Sequence, residues 1–131
     1  MKARVVFAAL SLAHVFALAD GVDFIQPKDG DTVEPTFVAK FAVTGMQVVP
    51  SGEIKPGTGH HHLLINAVNI EKNVVIPNDN QHKHYGKGQT EVEVFLQPGK
   101  YKLTLQFADG AHKSYGEAYR KTIYVTVAGK P

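Results

Sequence analysis

Apolar residues recur at every second position in several short stretches of the chain, and no stretch has the helical period of 3.6. In the clearest stretch, residues 37–44, the alternate positions are Phe37, Ala39, Phe41 and Val43. Gly, Pro, Asn and Asp, which favour turns, bound these stretches. The pattern predicts strands at residues 22–25, 37–44, 60–67, 91–96, 101–107 and 121–127, and a short edge strand at 74–76.

Strands of this number and spacing predict an all-β fold, an immunoglobulin-like antiparallel β-sandwich of about seven strands. The turn sequence at 97–100 predicts a hairpin between the strands at 91–96 and 101–107. Three connections, at 46–59, 77–90 and 109–120, exceed hairpin length. Because long loops on a rigid sandwich often carry function, we expect any site to lie there.

The N-terminus has the three parts of a secretory signal. Lys2 and Arg4 precede an apolar run at 5–18, which ends in the small-residue site Ala17-Leu18-Ala19. The run is too short and too weakly flanked for a membrane span. We therefore predict a signal peptide at 1–19, a single mature domain at 20–131 without a membrane span, and a periplasmic or secreted location.

Charge and cysteine content narrow the classes of function. Removal of residues 1–19 leaves 112 of 131 residues and lowers Lys plus Arg from 14 to 12, which balances the 12 acids. Global charge therefore gives no argument for nucleic acid as a partner. The chain has no cysteine, which excludes disulfides, thiolate metal sites and thiol nucleophiles.

The candidate chemistry lies in the histidines. Parity along the strand at 60–67 places His60 and His62 on one face, about 6–7 Å apart, and His61 on the apolar face. His82 and His84 repeat the i, i+2 pairing in the next connection. Neutral imidazole suits copper and zinc. The sequence therefore predicts a copper or zinc site with the ligands His60, His62, His82, His84 and His112.

Other residues are candidates for the surroundings of that site. His61 is expected to be a hydrogen-bonded, partly buried histidine rather than a ligand. Glu91 and Asp79 are candidates for oxygen ligands or for orienting a ligand ring, and Asp109, three residues before His112, is a candidate for the surroundings of the site. Lys87 lies between two glycines, where it is a candidate for adding positive charge to a backbone-lined pocket or anion nest, with ordinary turn glycines as the alternative. For an isolated histidine pair, an exposed solubilising role is the simpler interpretation.

Three sequence motifs resemble a family of exported bacterial domains of unknown function. They are the stretch GTGHHHLLIN at 57–66, the pattern HxHYGxGQTE at 82–91 and LxPG at 96–99. The resemblance covers roughly residues 24–127. By resemblance, Gln89, Thr90 and Glu91 join the histidines in a common motif, and Asp109 and His112 match an Asp-x-x-His element. The chain departs from the family after His112, where a proline-containing segment is usual.

Three functions compete at this level. The favoured one is a non-catalytic metal-binding domain for buffering or delivery. The second is a metal-dependent enzyme, either a copper redox enzyme or a zinc hydrolase that uses a metal-bound water. The third is a metal-free recognition domain that binds a cell-envelope ligand or partner protein, with histidines that respond to pH.

Overall fold

The computed structural model describes residues 19–130, and nearly all of the predicted signal peptide lies outside that range. The described residues form nine strands and a short 3-10 turn at Glu117–Tyr119. None of them forms a helix with the length and apolar character that a membrane crossing requires. The strands are β1 (Gly21–Gln26), β2 (Thr32–Val33), β3 (Thr36–Thr44), β4 (Gln47–Val48), β5 (Thr58–Ile65), β6 (His82–His84), β7 (Glu91–Phe95), β8 (Gly99–Ala108) and β9 (Arg120–Val127).

The strands form two sheets. The first has three antiparallel strands in the order β1-β3-β7, and the second has six, in the order β2-β9-β8-β5-β4 with β6 also paired to β5. The long pairings β5-β8 and β8-β9 are antiparallel, while the two-residue strands β2 and β4 add short parallel pairs. The predicted all-β fold with antiparallel sheets is confirmed.

The core takes side chains from both sheets. Phe24 and Phe41 from the first sheet pack with Leu63, Leu105 and Ile123 from the second, and all are at most 2% exposed. Core residues of one strand lie at alternate positions, such as Ala39 and Phe41 of β3 or Leu103 and Leu105 of β8, as the period of two predicts. The sequence pattern therefore identifies the core face of each long strand correctly.

The other face of the second sheet is also buried, because two connections cover it. Thr104 and Gln106 of β8 are 0% exposed although they point away from the core. The Gln106 amide donates to the carbonyls of Gly116 (3.0 Å) and Tyr119 (3.2 Å), and Arg120 Nε donates to Gln106 Oε1 (2.8 Å). Gln106 is thus hydrogen-bonded to the covering chain, which makes its burial tolerable.

Two local predictions are wrong. The turn at 97–100 does not join a hairpin, because β7 pairs with β3 in the first sheet whereas β8 pairs with β5 and β9 in the second. The turn instead carries the chain from one layer to the other. The segment 74–76 is not a strand but makes a single bridge between Val75 and Lys113. The short strands β2, β4 and β6 lack a pattern long enough to predict them.

Candidate metal centre

Strand β5 places two histidines side by side on the covered face of the second sheet. His60 is 0% exposed and His62 is 1% exposed. Leu64, on the same face, packs with Ala67, Ile76 and Ala108 under the connection that follows β5. The alternation of the strand thus sends both rings into a buried layer outside the main core. They are not the exposed, solubilising side chains that the simpler interpretation of the sequence describes.

Strand β6 supplies the third histidine. It pairs antiparallel with β5, and the register sets His84 directly opposite His62. Side chains of directly opposed residues lie on the same face of a sheet, so the His84 ring joins the layer of His60 and His62. The centroid of the His84 ring lies 5.1 Å from that of His62 and 5.0 Å from that of His60.

The fourth histidine arrives from the connection between β8 and β9. Asp109 Oδ1 accepts hydrogen bonds from the backbone N–H groups of Ala111 (2.9 Å) and Lys113 (3.0 Å). The turn they form puts His112 in the left-handed region, with φ of 66°. Its ring centroid lies 4.5 Å from that of His84. Asp109 therefore acts on the site by shaping the loop that presents His112.

The four rings converge on one point. One nitrogen from each of His60, His62, His84 and His112, together called the histidine cluster, lies within 4.8 Å of the other three. The His60 and His62 Nε2 atoms are 2.9 Å apart, and His60 Nε2 is 3.1 Å from His112 Nδ1. In a tetrahedral zinc site with Zn–N of about 2.0–2.1 Å, ligand nitrogens are about 3.3 Å apart. The cluster thus has nearly the spacing of a metal's ligand shell.

Hydrogen bonds between the rings do not account for this arrangement. A neutral imidazole nitrogen offers one proton or one lone pair, so His60 Nε2 cannot satisfy both of its close neighbours. Within the part of the chain that the structure describes, the Nδ1 atoms of His60 and His62 and the Nε2 atom of His84 are buried without a partner. The crowding of the converging nitrogens around His60 Nε2 calls for a ligand that can accept several lone pairs at once.

The surroundings of His60, His62 and His84 favour the neutral form of these three rings. Burial, with coulombic repulsion from His84 and His112, lowers the pKa of His60 to about 4. Burial and the other cluster histidines lower the pKa of His62 to about 2. Burial, followed by repulsion from His112, also lowers the pKa of His84. At neutral pH these imidazoles therefore keep their lone pairs free, which is the form that binds metal.

His61 lies on the opposite face of β5, as its parity predicts. Its ring is 0% exposed and packs between Phe41 (centroids 5.2 Å apart) and Phe107 (5.0 Å). The expectation of a hydrogen-bonded ring is wrong, because neither ring nitrogen has a protein partner among the described residues. Burial lowers the pKa of His61 to about 4. His61 is thus an uncharged member of the core.

The structure does not bring His82 into the cluster. Its Nδ1 atom lies 2.7 Å from Asp79 Oδ1, while the backbone N–H of His82 donates to the Asp79 carbonyl (3.2 Å). The hydrogen bond from His82 is the main cause of the lowered pKa of Asp79. His82 therefore closes the loop before β6, and the i, i+2 pairing with His84 does not make the two rings common ligands.

The other residues of the predicted motif lie in the connection after β6 and at the start of β7. Gln89 Oε1 accepts from the Lys87 N–H (2.8 Å), and the Thr90 carbonyl accepts from the Phe41 N–H (2.8 Å). Glu91 forms an exposed ion pair with Lys40 (3.8 Å). The last two contacts attach the end of the connection to β3, and none of the three involves a ring of the cluster.

Gly86 has a steric role that the sequence only hints at. A Cβ atom on Gly86 would overlap the imidazole of His84 and approach Ser51 Oγ to 2.7 Å. Ser51 in turn donates through its backbone N–H (2.8 Å) and its hydroxyl (3.1 Å) to the Gly86 carbonyl. The close backbone approach that glycine permits thus packs the chain against the His84 ring. No sequence signal points to Ser51.

Fold and site together define a small all-β domain with a buried histidine cluster on the outer face of one sheet. The chain belongs to the family described as "Domain of unknown function (DUF4399)", whose model matches residues 39–128 and so includes all four histidines of the cluster. This confirms the family that the motifs resemble. No curated protein matches the chain significantly.

One solved structure shares the fold. It is the X-ray structure of the endo-β-1,4-mannanase from Thermotoga petrophila, with a TM-score of 0.50 and 16% sequence identity. The match covers 85% of this chain but only 20% of the mannanase chain, so it corresponds to a fifth of that protein. At this identity the likeness concerns the fold alone.

Proposed function

We propose that this protein is an exported metal-binding domain that holds one Cu(II) or Zn(II) ion in the histidine cluster. The observation that carries the proposal is the convergence of four ring nitrogens within 4.8 Å of one another. Two of these rings are at most 1% exposed, and their other nitrogens have no protein partner in the described chain. A cation that takes all four lone pairs resolves the crowding that hydrogen bonds leave unresolved.

The donor set limits the choice of metal. Four imidazoles offer borderline nitrogen ligands, which suit Zn(II) and Cu(II), whereas Ca(II) and Mg(II) prefer oxygen. Among the residues that the structure describes, no carboxylate belongs to the cluster of ligand atoms. The chain also lacks cysteine, so the soft thiolate ligands that select Cu(I) are absent. Nitrogen donors alone therefore favour the two divalent ions named in the proposal.

A role in binding, buffering or delivering a metal ion fits four protein ligands better than a catalytic role does. Catalytic zinc sites usually have three protein ligands and keep a position for water, whereas four protein ligands are typical of sites that only hold the ion. His84 and His112 are partly exposed while His60 and His62 are buried. The exposed pair gives an ion a way in and out, as a buffering or delivery protein requires.

The proposed location follows from the N-terminal segment, whose basic residues, apolar run and small-residue site favour export. A periplasmic or secreted domain would take up metal ions outside the cytoplasm. In a delivery role, the partner would be a cell-envelope protein that receives the ion.

The first test is metal binding by the mature protein, purified without a polyhistidine tag or chelating column. Elemental analysis of the purified protein, followed by titration of the stripped form with Cu(II) and Zn(II), should give one ion per chain. Two variants are compared. His84→Ala removes a ring of the cluster, whereas His82→Ala removes a ring that lies outside the cluster and forms a hydrogen bond with Asp79. The proposal expects loss of tight binding only in His84→Ala. Absence of binding in the unaltered protein would overturn it.

A further inference from the structure

A cavity of about 290 Å³ opens directly beside the histidine cluster. Three of the four cluster rings, those of His62, His84 and His112, line one side of it, and residues 75–78 line the other. One water takes up about 30 Å³ in the liquid, so the cavity has room for a molecule of several heavy atoms. The fourth ring, that of His60, lies behind the others and is 0% exposed. The cluster is therefore closed on one side and open on the other.

The far wall of the cavity is fixed to the fold at both ends. We call residues 75–79 the wall segment. At its start, the Ile76 N–H donates to the His112 carbonyl (2.8 Å), and Val75 forms a bridge with Lys113. At its end, Asp79 holds the ring and the backbone of His82. Because these contacts tie the wall to the chain that presents His112 and His84, the cavity is preformed.

The lining of the cavity indicates which ligands fit. Val75, Ile76 and Pro77 present apolar surface, and Asn78 contributes an amide. Apart from the three histidines, none of the described residues that line the cavity is acidic or basic. Neutral imidazoles add no charge, so a divalent ion in the cluster keeps both of its positive charges. In a pocket of low dielectric constant without a carboxylate, that charge attracts an anion strongly.

We propose that the cavity is an exogenous-ligand site, in which a small monoanion enters between the wall segment and the histidines and coordinates the bound metal. This inference rests on the proposed function, because the anion binds through the metal. It adds a fifth, exchangeable ligand to a site with four protein ligands. Zinc sites can expand to five-coordination, and Cu(II) adopts tetragonal geometries that admit such a ligand. His82 then has a positioning role, since its bond to Asp79 holds one end of the wall segment.

The test uses the mature protein loaded with one equivalent of Cu(II) in chloride-free buffer and titrated with azide. A monoanion at the metal should give a saturable azide-to-copper charge-transfer band and a change in the electron paramagnetic resonance spectrum. Val75→Trp places a large side chain in the cavity from a position that is 54% exposed. It should weaken azide binding at least roughly tenfold and leave Cu(II) stoichiometry unchanged. Asn78→Phe, also at an exposed wall position, should act in the same direction.

The matched control is Val68→Trp, at a position that is 77% exposed and outside the cavity lining, which should leave azide binding unchanged. If the unaltered protein forms a 1:1 copper complex that does not bind azide, the inference is overturned and the proposed function still stands. Equal azide affinity in Val75→Trp, Asn78→Phe and the unaltered protein would also overturn it, because the anion would then arrive by another route. Failure to bind copper at all would overturn both.

Discussion

The Nε2 atoms of His60 and His62 lie 2.9 Å apart, although the alternation of a strand separates such neighbours by about 6–7 Å at the backbone. The two rings lean toward each other in a layer with almost no solvent exposure. Each ring leaves its Nδ1 without a protein partner in the described chain. Burial of these unpaired polar atoms costs free energy, which leads to a prediction about stability.

Replacement of His62 by leucine should abolish metal binding without lowering the stability of the metal-free protein. The free energy of unfolding of metal-free His62→Leu should equal that of the metal-free unaltered protein or exceed it by up to about 1–3 kcal/mol. The reason is that the substitution removes an unpaired buried polar group. Metal binding should be lost. Urea denaturation with excess chelator measures the first effect, and Zn(II) titration the second.

The control for this substitution is His82→Leu. His82 makes a 2.7 Å hydrogen bond with Asp79, so its removal should lower stability while metal binding persists. Strong destabilisation of metal-free His62→Leu would instead mean that the cluster rings support the fold by themselves, contrary to the account.

Gly86→Ala should weaken metal binding without changing any ligand. The added methyl group overlaps the His84 ring, so the ring must turn away from the cluster. We expect a loss of affinity of about 10- to 100-fold, the range found when groups that orient a ligand are altered. Isothermal titration with Zn(II) measures it, with Lys87→Gln as the exposed neighbouring control. An unchanged affinity would show that His84 is free to move or is not a ligand.

Asp109 should matter through its hydrogen bonds rather than as a ligand. Its Oδ1 accepts from the backbone of Ala111 and Lys113 in the turn that presents His112. Asp109→Ala removes both bonds and should lower metal affinity about tenfold or more, while Asp109→Asn keeps an oxygen acceptor and should retain most of it. If the two variants lose affinity equally, the negative charge of Asp109 supports metal binding, and its hydrogen bonds to the turn do not.

The metal-free protein should lose stability as the pH falls below about 6.5. His60 and His61 have pKa values lowered to about 4, and His62 to about 2, against 6.5 in the unfolded chain. Between these values the unfolded state binds more protons than the folded state, so the free energy of unfolding falls with pH from about 6.5 towards 4 and below. Thermal denaturation in chelator over pH 7.5 to 4 measures the slope. A melting temperature that stays flat across this window would contradict the buried neutral state of the rings.

The sequence predicts the fold class and part of the site because both depend on local periodicity. The period of two assigns the core face of the long strands, and the same parity places His60 and His62 together and His61 apart. The pairing of His84 with His62 depends on the register between β5 and a three-residue strand, which no local pattern encodes. The hairpin prediction at 97–100 is wrong because a turn sequence does not say whether the next strand joins the same sheet. The spacing of His82 and His84 likewise cannot show that His82 forms a hydrogen bond with Asp79 outside the cluster.

The most direct test of the central claim is X-ray absorption spectroscopy at the zinc edge of the mature protein loaded with one equivalent of Zn(II). The account predicts a first shell of four nitrogens at about 2.0–2.1 Å with the multiple-scattering pattern of imidazole. His62→Leu should reduce or abolish that shell, and His82→Leu should leave it intact. A shell made mainly of oxygen, or one that His82→Leu changes as much as His62→Leu does, would contradict the assignment of the histidine cluster as the metal site.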